Sequence, residues 1–163
     1  MSHRVTRTLI TATIMALVLF VKPAPARADI TAFWGFTPTT SVRDTRGVSV
    51  GLNTTIFGGE YEWARQTEHT SDNAPGVTTH MFNGMLITPG RKISIYLSGG
   101  FGKYTETLNL TERTGSATNF GAGVKWKLAG PIKARFDYRA FTLKGTPIVK
   151  NPKRFYAGLT LAF

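Results

Sequence analysis

Apolar residues alternate with small or polar residues over stretches of about ten positions through most of the chain after residue 28. Successive side chains of a β-strand point to opposite faces, so a period of two predicts strands, and helical periodicity is hard to find. We therefore expect an all-β fold of consecutive strands. Eight strands are predicted, over residues 29–38, 46–57, 60–69, 78–88, 91–103, 117–128, 131–142 and 153–163.

The last two predicted strands indicate which face of the strands points toward lipid and which points into the barrel. In the final strand Phe155, Leu159, Leu161 and Phe163 share one face, and small or polar residues occupy the other. The preceding strand carries apolar residues on one face and charges on the other. Charged faces that point inward and apolar faces that point outward suit lipid, whereas a soluble barrel such as a lipocalin has the opposite arrangement. The sequence therefore predicts an eight-stranded antiparallel up-and-down transmembrane β-barrel.

The same alternation assigns eight charged residues to the interior. An eight-stranded barrel is only wide enough inside for its own side chains, and isolated buried charges are costly, so we expect these groups to pair into a plug. Five are basic and three are acidic, and this positive surplus keeps a small anion-conducting pore as an alternative. The parity of strand 78–88 stays open, because Met81 and Met85 compete with Phe82 and Leu86 for the outer face. The predicted interior charges are Glu60, Glu62, Lys125, Lys127, Lys133, Arg135, Asp137 and Arg139.

The connections between strands alternate in length. With an even number of strands, every second connection lies at the same end of the barrel as both chain ends, and transmembrane barrels have short turns on the periplasmic side and longer loops outside. The predicted tight turns are Gly58-Gly59, Pro89-Gly90 and Ala129-Gly130, and the longer connections begin near Thr39, Thr70, Tyr104 and Leu143.

The first 28 residues have the organisation of a secretory signal peptide. Arg4 and Arg7 precede an apolar run over residues 9–21, and small residues follow up to Ala28. The run is shorter than the roughly 20 residues of a membrane-spanning helix. We expect residues 1–28 to be removed and residues 29–163 to form one barrel domain. The chain contains no cysteine, which excludes disulfides and thiolate chemistry.

The final strand, Phe155-Tyr156-Ala157-Gly158-Leu159-Thr160-Leu161-Ala162-Phe163, resembles the signal by which the outer-membrane assembly machinery recognises its clients. The segment from Asn119 to Thr142 resembles the penultimate hairpin of the small outer-membrane barrels, the group that contains outer membrane proteins A, X and W. This resemblance spans the whole chain after residue 28. It implies a location in the bacterial cell outer membrane, and Phe155, Leu159, Leu161 and Phe163 as the assembly signal. A fold family does not specify an activity.

Residues 29–163 carry 16 basic and 9 acidic residues, a net charge of +7. Export and the absence of a basic helix favour anionic lipid and lipopolysaccharide over nucleic acid as the counterpart. Cations near lipid headgroups gain charge-assisted hydrogen bonds to phosphate. The third outer connection, which carries Leu108 and Leu110 between polar residues, is expected to project as a hairpin. The candidate lipopolysaccharide contacts are Lys144, Lys150, Lys153 and Arg154.

One segment bears on catalysis. His69-Thr70-Ser71 superficially resembles the His-x-Ser motif of lipid A deacylases, with Glu68 or Asp72 available to orient the imidazole. Asp72 interrupts the expected continuation, however, and the segment lies in an outer loop rather than in a strand. No catalytic residue, cofactor site or metal site is therefore predicted.

The predicted function is that of a monomeric, noncatalytic outer-membrane barrel with an envelope-structural or loop-mediated binding role. A lipid A modifying enzyme and a small narrow pore are the alternatives.

Overall fold

The computed structural model of the protein describes residues 26–39 and 42–163. Most of the predicted signal peptide, residues 1–25, lies outside the described residues, and its last two positions, Arg27 and Ala28, begin the first strand. Eight antiparallel strands follow one another around a closed barrel in which β1 pairs with β8, which confirms the predicted all-β architecture. The strands are β1 (Arg27–Thr37), β2 (Arg43–Asn53), β3 (Phe57–Gln66), β4 (Gly76–Ile87), β5 (Ile93–Leu108), β6 (Thr111–Ala129), β7 (Ile132–Leu143) and β8 (Lys153–Ala162).

Helical structure is a minor part of the described chain. A single 3-10 turn, Thr70–Asp72, lies in the connection between β3 and β4. No helix among the described residues has the length and apolar character needed to span a membrane.

The turns at one end of the barrel are short, as predicted, but one of them is displaced. Residues 54–56 join β2 to β3, whereas the predicted turn, Gly58-Gly59, lies inside β3. Gly58 faces Asn53 across the strand pair, and a Cβ at Gly58 would lie 2.2 Å from Asn53 Oδ1. The glycine makes room for a neighbouring side chain rather than for a turn, so this turn prediction was wrong. The other short turns are at residues 88–92 and 130–131.

β5 and β6 form a long hairpin of 16 and 19 residues at the opposite end. Its turn consists of Asn109 and Leu110, whose φ angles are 48° and 66°. Both angles lie in the left-handed region that a two-residue type I′ turn requires at its central positions. The predicted long loop from Tyr104 is therefore wrong, because the strands continue, whereas the predicted hairpin in this connection is confirmed. Leu110 at its tip is 99% exposed.

Exposure alternates along the strands and confirms the predicted faces. Phe155, Leu159 and Leu161 point outward from β8, and Tyr156 and Thr160 point inward. Along β4, the interior face holds buried Met81, Asn83 and Met85, whereas exposed Phe82 and Leu86 lie on the exterior, which settles the parity that the sequence leaves open.

The interior has an apolar region in its outer half and an ionised region in the middle. The apolar region consists of Val77, Met81, Tyr104, Ala117, Phe141 and Leu143. Below it, Phe33 stacks on Tyr156 with ring centroids 4.2 Å apart. The Arg154 guanidinium lies 4.5 Å from the Phe141 ring centroid and so joins the two regions.

Candidate functional site: a buried ion network between two cationic rims

A network of ion pairs fills the middle of the barrel. β3 and β7 supply most of it, because the period of two directs Glu60 and Glu62 of β3, and Arg135, Asp137 and Arg139 of β7, to the interior. Arg135 and Arg139 are 0% exposed. Arginine suits this position, since its planar guanidinium can meet several carboxylates at once.

Each arginine of β7 bridges carboxylates from two strands. Arg135 is hydrogen-bonded to Glu60, and its Nη2 lies 2.8 Å from Asp137 Oδ2. Arg139 Nη2 donates to Glu60 Oε1 at 2.8 Å, and its Nε donates to Asp137 Oδ1 at 3.1 Å. Arg139 Nη1 lies 2.9 Å from Glu62 Oε2, which is an ion-pair distance although the angle does not fit a hydrogen bond. The guanidinium groups therefore tie β3 to β7 across the interior.

Neutral side chains complete the network. Tyr96 donates its hydroxyl proton to Asp137 and accepts from Arg135 Nε at 2.7 Å. Tyr156 donates to Glu62 Oε2 at 3.2 Å, and Ser49 donates to Glu60 Oε2 at 3.0 Å. These bonds satisfy carboxylate lone pairs that burial has removed from water.

A glycine of β6 is required for this arrangement. Gly123 faces the interior, and a Cβ at this position would lie 2.3 Å from Tyr96 Oη, which is held by both Asp137 and Arg135. A larger residue would displace the hydroxyl from the network.

Arg154 belongs to this network and not to the outer rim. Its Nη1 donates to Glu62 Oε1 at 2.9 Å, and the residue is only 3% exposed. Its prediction as a lipopolysaccharide contact was wrong, because an even position of β8 faces inward like Tyr156. The outward face of Phe155 already implied this orientation.

A separate ion pair lies toward the end with the short turns. Lys125 of β6 donates to Asp29 Oδ2 of β1 at 2.6 Å, and Asn53 of β2 donates to the same oxygen at 2.7 Å. Asp29 was not among the predicted interior charges, because as the first residue of a predicted strand it gave no clear alternation signal.

Lys127 and Lys133 do not join the network. Lys127 is exposed, Lys133 is partly exposed, and both line the opening at the short-turn end. No ion pair within 4.0 Å involves either side chain in the described part of the chain. Six of the eight predicted interior charges are therefore buried: five of them form the network, which Arg154 joins, and Lys125 pairs separately with Asp29.

The interior is electrically balanced, contrary to the predicted surplus of two positive charges. Five acidic and five basic side chains are buried among the described residues. The surplus disappears because Lys127 and Lys133 lie at the opening, while the further buried charges, Asp29 and Glu106 against Arg43 and Arg154, cancel one another. The buried charges are Asp29, Glu60, Glu62, Glu106 and Asp137 against Arg43, Lys125, Arg135, Arg139 and Arg154.

The exterior near the outer end carries a band of basic residues. Arg46 of β2 is the register partner of Arg65 of β3, and both are exposed on the outward face. His80 of β4 and Lys103 of β5 form the next outward pair. We call Arg46, Arg65, His80 and Lys103 the outer band. Lys144, Lys150 and Lys153 are also exposed, around the β7–β8 connection.

The His69-Thr70-Ser71 segment does not assemble a catalytic triad. His69 pairs with Ala74 through backbone bonds, and the Glu68 carboxylate accepts from Asn109 N at 2.9 Å. His69 and Ser71 are both exposed, and no hydrogen bond joins their side chains in the part of the chain that the structure describes. In that part, no three His, Cys, Asp or Glu side chains are grouped as a metal site.

β8 is the seam that closes the barrel. It pairs with β1 and β7, and Phe163 and Ala28 exchange backbone hydrogen bonds of 2.9 Å. The predicted assembly-signal residues Phe155, Leu159, Leu161 and Phe163 are all exposed on the exterior.

A closed barrel with an apolar exterior and an ionised interior satisfies its backbone hydrogen bonds within the wall, which a protein must do to span a bilayer. Eight antiparallel strands in this arrangement define the class of small outer-membrane β-barrels. The protein is therefore an integral barrel of the bacterial outer membrane, as the sequence predicts.

Comparison with solved structures finds the same fold. The N-terminal β-barrel domain of Pseudomonas aeruginosa OprF superposes with a TM-score of 0.65 at 17% identity, over 84% of this chain and 97% of that one. Neisserial surface protein A (NspA) gives a TM-score of 0.68 at 12% identity, over 87% of this chain and 100% of that one. At these identities the likeness concerns the fold.

A third similar structure is Ail, the attachment invasion locus protein of Yersinia pestis, with a TM-score of 0.56 at 11% identity, over 86% of this chain and 100% of that one. A second structure of Ail contains the heparin analogue sucrose octasulfate and superposes with a TM-score of 0.50 at 11% identity, with the same coverage. No family model and no curated protein sequence matches the chain.

Proposed function

We propose that the protein is a noncatalytic, monomeric outer-membrane barrel whose outer rim binds the phosphate groups of lipopolysaccharide. The observation that carries this proposal is the pairing of Arg46 with Arg65 on the lipid-facing exterior. Two like charges directly opposite each other on neighbouring strands repel, and charge on the lipid face of a barrel is destabilising. Such a pair becomes favourable when an anion lies between the two guanidinium groups.

The surroundings of the arginine pair support an anionic lipid as that partner. His80 and Lys103 continue the outer band toward β5, and exposed Trp34 and Trp63 lie beside Arg46 and His80 in the strand register. Indole rings favour the membrane interface, where lipid phosphates lie. Asp44 is the acidic residue on the same face of β2, and within the described chain no ion pair joins it to Arg46 or Arg65.

Lys144, Lys150 and Lys153 are proposed as further contacts. They lie around the β7–β8 connection, at the same end as the outer band, and their exposed ammonium groups are free to meet lipopolysaccharide sugars and phosphates. The complex of Ail with sucrose octasulfate is a precedent for a polyanionic saccharide on a barrel of this fold.

The test compares Arg65→Gln with Arg91→Gln, an arginine at the opposite end of the barrel. Nanodiscs with and without lipopolysaccharide would hold the mature protein, and the thermal unfolding midpoint would be measured in both. We expect lipopolysaccharide to raise the midpoint of the unmodified protein and of Arg91→Gln, and to raise that of Arg65→Gln much less, because ligands that bind the folded state stabilise it. Equal stabilisation of both variants would overturn the proposal.

The alternatives find less support. The ion network and the apolar region of the interior occupy the space that a pore needs, so we expect planar bilayers containing the protein to show no steady conductance. A lipid A modifying enzyme would change the mass of lipid A on expression, and Ser71→Ala would abolish that change. We expect unchanged lipid A in both cases.

The biogenesis expected from the sequence is part of the proposal. We propose that residues 1–28 are removed on export and that the assembly machinery recognises Phe155, Leu159, Leu161 and Phe163. The N-terminal sequence of the protein recovered from outer membranes tests the first point. For the second, Phe163→Ser should lower the folded, heat-modifiable fraction in cells while leaving refolding in detergent largely intact.

A further inference from the structure

We infer that the short-turn end of the barrel is a binding site for a small multivalent phosphate anion. This end contains two adjoining cavities of about 580 Å³ and 390 Å³ that share much of their lining. We call them together the periplasmic vestibule. Six cationic side chains line it, namely Arg27, Arg91, Lys92, Lys125, Lys127 and Lys133.

The vestibule has too few acidic side chains to neutralise these cations. Asp29 is the one acidic side chain in the described lining, and it is already paired with Lys125 at 2.6 Å. Five cations are left, and a terminal carboxylate at Phe163 would reduce the surplus to four. Like charges around one concave opening repel one another and concentrate counterions there.

Three separate elements hold the cations around the opening. Arg91 and Lys92 come from the β4–β5 turn, Lys127 from β6, and Lys133 from β7. If the predicted signal peptide is cleaved after Ala28, Arg27 is lost, but the new α-ammonium group of Asp29 restores a positive charge nearby. The surplus therefore does not depend on the residues before the cleavage site.

The floor of the vestibule makes it a binding site rather than a channel entrance. Lys125 is 5% exposed, and beyond it lies the balanced ion network of Arg135, Glu60 and their neighbours. An anion can therefore enter the opening but meets a plug of paired charges. Asp29 Oδ1 and Asn53 Oδ1 are buried there and have no hydrogen-bond partner, so a ligand that also carries a hydroxyl donor would find acceptors at the floor.

The chemistry of the site selects phosphate groups, whether on an inner-leaflet lipid headgroup or on a soluble anion. Guanidinium and ammonium groups from several elements can surround a phosphate and make charge-assisted hydrogen bonds to its oxygens. This inference concerns the end opposite the proposed lipopolysaccharide contacts and does not rest on them.

The first experiment titrates tripolyphosphate into the mature protein, folded in uncharged detergent, by calorimetry. We expect saturable binding that weakens as salt is raised, and that weakens by at least about threefold in Arg91→Gln and in Lys127→Gln. Arg113→Gln, in the long β5–β6 hairpin at the opposite end and outside the outer band, is the matched control and should bind as the unmodified protein does. Heat-modifiable migration verifies that each variant is folded.

A second arm distinguishes the two sources of phosphate. Tripolyphosphate binding would be compared in nanodiscs of phosphatidylcholine alone and with phosphatidylglycerol. Competition by phosphatidylglycerol, relieved in Arg91→Gln, would identify a headgroup as the ligand, and equal binding in both would identify a soluble anion; each result supports the site. Absence of saturable binding, or binding unchanged in Arg91→Gln and Lys127→Gln, would overturn it.

Discussion

The middle of the barrel and its periplasmic vestibule are built from the same strands and the same kinds of charged residue, yet their charges are organised differently. In the middle, Arg135 and Arg139 each contact two or more carboxylates, and both are 0% exposed. In the vestibule, Lys127 and Lys133 have no ion pair among the described residues. Burial requires pairing because water is absent, whereas an open mouth tolerates surplus charge because solvent screens it.

This difference separates what the two regions can do. A network in which every buried charge has a partner closes the interior and links β3, β7 and β8. An unpaired set of cations in a concave opening is available to an external ligand. The first region therefore serves the structure, and the second is where a binding function is expected.

The largest effect is expected for Arg135→Met. This change leaves Glu60 and Asp137 with one arginine instead of two in an interior without water. We therefore expect the free energy of unfolding to fall by about 3 to 5 kcal/mol. Urea unfolding in detergent, followed by tryptophan fluorescence, would measure it. Lys133→Met is the matched control, two residues earlier on the same face of β7, and should change the unfolding free energy by less than about 0.5 kcal/mol. If the two changes lowered the free energy of unfolding equally, the distinction between the buried ion network and the vestibule would be wrong.

A smaller effect is expected for Arg154→Met, which removes the charge-assisted bond to Glu62. Glu62 keeps Arg139 and Tyr156, so we expect a loss of about 2 to 3 kcal/mol in the same unfolding experiment. Its neighbour Lys153 points outward, and Lys153→Met should have little effect on stability. If Arg154→Met were as neutral as Lys153→Met, the assignment of Arg154 to the interior would be wrong.

The smallest of the three effects is expected for Lys125→Met, at the boundary between the two regions. Asp29 would keep its bond from Asn53 and could gain water from the vestibule, so the expected loss is about 1 to 2 kcal/mol. Lys127→Met, the next inward position of β6, should be neutral or slightly stabilising, because it lowers repulsion among the cations. A larger loss of unfolding free energy for Lys127→Met than for Lys125→Met would mean that Lys127 has an acidic partner. The vestibule would then carry no surplus of positive charge.

The alternation of side chains along each strand predicted much of this arrangement. It assigned Glu60, Glu62, Arg135, Asp137 and Arg139 to the interior, because a strand has only two faces and lipid excludes charge from one of them. The same alternation places Arg154 in the interior, although its position near a strand end suggested the rim. Strand ends give weak signals, since the pattern there has few positions on either side, and for the same reason Asp29 was not predicted to lie inside. The turn at Gly58-Gly59 was misplaced because Gly58, which makes room for the Asn53 side chain, has the sequence signal of a turn residue.

The sequence by itself determined the barrel, the number of its strands and the face that meets lipid, because these follow from a period of two and from the cost of charge in a bilayer. Only the tertiary structure decided which charges meet. These contacts depend on strand register and on where each strand begins and ends. They decide that the Lys127 side chain lies in solvent while Lys125 pairs with Asp29, and that Arg46 lies opposite Arg65. Register is set by the closure of all eight strands into one barrel, so no single strand carries that information.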